Sequence, residues 1–124
     1  MAALEQIRSA IADFDGYGDE ESRRRSDQLI RSYLGERLAA YRSEHGDSGA
    51  FDALVLRCEF MDQRIFKAFE SSNPDRGRID ALLAADLEVV ALAGRTAALG
   101  LEDLPGFVNA SNAALDRRDA AMRG

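Results

Sequence analysis

Apolar residues recur every three or four positions along almost the whole chain. Leu4, Ile7, Ile11 and Phe14 form one such series, and Ile30, Leu34, Leu38 and Tyr41 form another. This is the period of one face of an α-helix. No segment alternates strictly in twos, as a half-buried strand would. The pattern predicts an all-α protein.

Punctuation divides the pattern into five helices. The first covers about residues 3–14 and stops at "DGYG", where Gly16 and Gly18 can each take positive φ at little cost. The second covers about 20–45, with Asp19 or Ser22 as its cap and Gly46 past its end. The third covers about 50–71, on the stripe Phe51, Leu54, Cys58, Met61, Ile65, Phe69. Asn73 and Pro74 read as the cap and first turn of the fourth, about 74–99, which ends at Gly100. The fifth covers about 103–122, with Pro105 in its first turn. Four long helices on short loops predict an up-down-up-down four-helix bundle carrying an additional short N-terminal helix. The 124 residues read as one domain, 1–124, long enough to bury a core.

Three helices place a charge where an apolar residue belongs. Asp62 falls on the third stripe, Asp86 on the fourth and Arg118 on the fifth. Residues equally far from a connecting loop lie level in an antiparallel pair. Counting from the loops sets Asp86 level with Arg118, and Asp62 level with residues 84–86. Tyr33 comes to a similar height, with Arg37 one turn away. A lone buried carboxylate costs several kcal/mol, on the order of what one arginine can offset by bidentate pairing. Asp86 with Arg118 is the first pair expected, and Asp62 with Arg37 the second. Tyr33 is a donor to either carboxylate.

Such a layer is read first as a structural ion-pair network that fixes helix register. The competing reading is a small-molecule or divalent-metal site, binding or hydrolytic, on Asp62 and Asp86, with Glu59 as a further oxygen ligand. Glu59 and Asp62 share a helix side at a spacing of three, but the neighbouring helix has no matching Glu-x-x-Glu. One cysteine, Cys58, excludes an internal disulfide or a Cys-based metal site, and one histidine, His45, excludes multi-histidine ligation. No cofactor motif and no catalytic set is present. "GYG" lacks the Lys-Ser/Thr of a phosphate loop.

The net charge of -6 disfavours nucleic acid and anionic membrane as partners. The run "DEESRRRSDQ" does not reverse this, because Glu20–Arg24, Glu21–Arg25 and Arg23–Asp27 are spaced to pair on one helix. No apolar run approaches the roughly 18 residues of a membrane span, and the N-terminus lacks a signal-peptide pattern. A cytoplasmic location is expected.

One apolar feature stands apart from the core stripes. Leu56 and Phe60 lie opposite the third helix's stripe, one turn apart. Leu87 and Leu92 flank the fourth, and Leu29 the second. A helix apolar on two sides is buried on both. Either the first helix covers this surface or another subunit does, so a homodimer or a protein partner is expected at Leu56 and Phe60.

Overall fold

Asp19 opens the long helix of the protein by accepting the amide of Ser22 at 2.8 Å, and Gly46 closes it at φ 90°. The computed structural model describes residues 2–46, 49–60 and 63–124. Among them are six α-helices and no strand: α1 (Ala3–Ala10), α2 (Glu20–His45), α3 (Gly49–Glu59), α4 (Gln63–Glu70), α5 (Arg76–Gly94) and α6 (Leu104–Arg123). Short 3-10 turns at Thr96–Ala98 and Leu101–Asp103 join the last two. The protein is all-α. No helix among the described residues is long and apolar enough to cross a membrane.

Three boundaries differ from the periodicity, each for a local reason. The first helix stops at Ala10. Ile11 turns extended, and Arg8 Nε donates to the Phe14 carbonyl at 2.8 Å. The segment so released drives Ile11, Phe14 and Tyr17 into the core. The expected helix over 50–71 is two. The guanidinium of Arg31 takes the carbonyls of Cys58 (3.1 Å) and Glu59 (3.4 Å), which in an unbroken helix accept from amides four residues on. The expected helix over 74–99 ends at Gly94, where Thr96 Oγ1 donates to the Ala93 carbonyl at 2.9 Å. Its N-cap is Asp75, not Asn73: the Asp75 carboxylate accepts the Arg78 amide at 2.9 Å.

Cross-helix bonds give the directions. On α2 and the two helices α3 and α4, Arg42 meets Asp52, Arg31 meets Cys58, and Arg24 meets Glu70. Numbers fall on one as they rise on the other, so these run antiparallel. Arg78 with Ala121 and Asp86 with Arg118 make α5 and α6 antiparallel too. The chain therefore alternates direction. The neighbours, however, are not all consecutive. α2 packs on α3, α4 and α5, and α6 packs on the same three. Among the described residues, α2 and α6 are not backbone neighbours, and α5 is a neighbour of neither α3 nor α4. These pairs stand on the two diagonals. One apolar cluster, from Ile7 to Met122, fills the space between them.

The diagonal placement bears on the heights counted from the loops. Residues on α5 and on α3 or α4 do not face each other as antiparallel neighbours. α1 packs on α5. Leu92 is buried, and Leu29 and Leu87 pack partly buried against the core. Leu56 (52% exposed) and Phe60 (71%) remain in the open.

Candidate functional site

The centre of the bundle holds a chain of polar side chains from four segments. Asp86 on α5 takes two donors. Arg118 Nε on α6 donates to Oδ1 at 2.5 Å, and the Tyr17 hydroxyl, from the loop before α2, donates to Oδ2. Arg118 then crosses the diagonal, and its second nitrogen donates to Asp27 Oδ1 on α2 at 3.0 Å. Asp27 Oδ2 accepts from Arg31 Nε, one turn on, also at 3.0 Å. Arg31 in turn holds the end of α3. The order is Tyr17, Asp86, Arg118, Asp27, Arg31.

All but the last are sealed from water. Tyr17, Asp27, Asp86 and Arg118 are each no more than 2% exposed. Charge in the cluster sums to zero, with two carboxylates against two guanidinium groups. Each carboxylate oxygen has a donor. Burial lifts the Asp86 carboxyl above the ordinary carboxylate value, while Arg118 and Tyr17 pull the other way. Burial also opposes the charge on Arg118, but Asp86, Tyr17 and Asp27 outweigh it and hold its pKa well above the usual value. Burial and the neighbouring Asp86 push the Tyr17 phenol up, so it stays a neutral donor. A second braid of bonds holds Tyr17's loop: Ser26 Oγ donates to the Gly16 carbonyl at 2.6 Å and Arg23 to the Tyr17 carbonyl at 3.3 Å.

The residues singled out from the sequence separate into groups. Asp86 and Arg118 meet in the cluster. Tyr33 and Arg37 stay outside it: the Arg37 guanidinium lies 3.5 Å above the Tyr33 ring and donates to its carbonyl at 3.0 Å. Their helix face explains this, since Tyr33 and Arg37 sit beside the buried stripe of Ile30, Leu34 and Leu38. Asp62 lies outside the described residues. Glu59 is exposed and borders a cleft of about 400 Å³ with Gln28, Arg31, Ser32, Glu36 and Cys58. Among the described residues, no group of three or more His, Cys, Asp or Glu is placed to hold a metal ion.

Three members of the cluster escape the sequence reading. Asp27 had a signal: it precedes Ile30 and Leu34 by three and seven, so it continues the α2 stripe. Its assignment to Arg23 hid this. Arg23 in fact donates to the Glu70 carbonyl at 3.0 Å, and Arg24 pairs with Glu70 rather than Glu20. Arg31 followed Asp27 out of view. Tyr17 stands between two glycines, where no period places a side chain.

Cys58 is buried, and burial pushes its thiol up to about 11. Gly35 on α2 faces it closely: a Cβ there would lie 3.3 Å from the Cys58 Cβ. No family model, curated protein or solved structure matches this chain, so its function rests on its own geometry.

Proposed function

We propose that this is a helical-bundle protein that works by binding protein, in the first place another copy of itself, through the outward face of α3. The observation that carries this is the exposure of Leu56 on α3 and of Phe60 just past the end of that helix. Large apolar side chains grouped on a surface mark contact sites, and aromatic residues, Phe among them, are enriched in such contacts. α1 leaves this face uncovered because it packs on α5.

The buried cluster supports the same reading from the other side. Asp86 is fully buried and both its oxygens are occupied by Arg118 and Tyr17. That suits a tie between helices better than a seat for a substrate or cation. With the cluster serving the fold, the outer surface is where a partner is met.

Sedimentation velocity over a concentration series tests the proposal. Wild type sediments as an assembly that dissociates on dilution, and Phe60→Glu, a substitution at an exposed position, sediments as the 13.6 kDa monomer. A wild type that stays monomeric at every concentration refutes self-association.

A further inference from the structure

The buried polar chain comes to the surface at the last turn of α3. Arg31 is its outer member, with a side chain 20% exposed, while Tyr17, Asp27, Asp86 and Arg118 are sealed. From Arg31 the bonds run to backbone. Its Nη1 donates to the carbonyls of Cys58 at 3.1 Å and Glu59 at 3.4 Å. A helix leaves its last carbonyls without amide partners of its own, and the negative end of its dipole lies there. The guanidinium of Arg31 meets both needs at once.

Phe60 follows directly. Its amide and the Glu59 carbonyl belong to one planar peptide unit. The amide donates to the Leu56 carbonyl at 2.9 Å, and Arg31 holds the carbonyl. Both polar atoms of that unit are engaged, one by α3 and one by α2, so the Cα of Phe60 departs from a fixed plane. Phe60 is 71% exposed, and its direction therefore depends on the backbone that carries it. Arg31 is itself held in place. Its Nε donates to Asp27 Oδ2 at 3.0 Å, and the other oxygen of Asp27 accepts from Arg118 at 3.0 Å.

Resting on the reading that the α3 face binds a second copy, we infer that Arg31 is the positioning residue of that contact. It needs no bond to the partner for this. It acts through the peptide between Glu59 and Phe60, and Asp27 acts through it. A side chain ordered before association loses less freedom on binding, which is worth about two- to tenfold in affinity. The contact is thus tuned from inside the bundle, by residues that lie off the contact surface.

Dissociation constants from sedimentation equilibrium test this, under conditions where circular dichroism shows every variant folded. Arg31→Ala is expected to weaken self-association by about two- to tenfold. Tyr17→Phe is the control. It loosens the opposite end of the same polar chain and leaves the bonds of Arg31 in place, so its dissociation constant is expected to match wild type. Arg31→Lys takes the place of Arg31→Ala if that variant misfolds. It keeps the charge, but one ammonium lacks the fork that reaches Asp27 and the α3 carbonyls together, so the same weakening is expected. If the Arg31 variant associates like wild type, the positioning role is wrong while the α3 contact stands. If Tyr17→Phe weakens association as much, the effect is a general loosening of the bundle and the inference is wrong. A wild type that is monomeric at every concentration overturns the reading beneath and this inference with it.

Discussion

Among the described residues, Arg118 is the one cation that touches both buried carboxylates, Asp86 and Asp27. Arg118→Leu leaves Asp86 without a cation, at an expected cost of about 3–5 kcal/mol at neutral pH. The pH dependence has a definite sign. Asp86 already has its folded pKa above the ordinary value, and loss of Arg118 raises it further. The stability linked to its proton is present below the unfolded carboxylate pKa and is lost as pH rises through the folded one. Urea unfolding should therefore show the variant's deficit smallest in acid and largest at neutral pH; a deficit independent of pH contradicts the assignment. Tyr17→Phe removes one donor from Asp86 and should cost about 1–3 kcal/mol in the same measurement. Ser111 is the reverse case. Its Oγ is buried without a hydrogen-bond partner, so Ser111→Ala should stabilise the protein by about 1 kcal/mol. The pairing of Asp86 with Arg118 was legible from loop lengths, because α5 and α6 really are antiparallel neighbours. The role of Tyr17 was not, since a residue in a glycine-flanked loop has no period to place it.

At the scale of elements, side chains decide where helices stop. Arg31 ties α2 to the end of α3 and at the same time pins Asp27. Arg31→Ala should cost about 1–3 kcal/mol. Its signature in hydrogen exchange is local: amides late in α3 open faster, while the middle of α5 keeps its protection. Uniform loss of protection would show that Arg31 serves the whole fold and not this junction. Periodicity identified the α-helical regions but read α3 and α4 as one helix. A stripe of Phe51, Leu54, Cys58, Ile65 and Phe69 runs through both helices in phase, so the apolar pattern alone does not register the break. At the end of α3 the carbonyls of Cys58 and Glu59 are taken by a cation on another helix, Arg31, which is tertiary information. The close passage of Gly35 past Cys58 belongs here too, because it lets α2 approach α3 where a larger side chain would hold it off.

Across the whole molecule, the diagonal order of the helices is the feature least visible in the sequence. Short loops fix the alternation of direction, but they do not say which helices become neighbours. That choice follows from the core: Arg118 is long enough to span a diagonal, and the cluster joins α2, α5 and α6 through it. The same order leaves Leu56 and Phe60 on the outer surface. The central claim is that the α3 face is a protein contact surface. It is tested most directly by amide chemical shifts of the wild-type protein followed on dilution. We predict that the amides that move cluster along α3 from Ala53 to Phe60, and that Phe60→Glu abolishes the movement. Shifts that do not change with concentration, or that change only on surfaces away from α3, would contradict it.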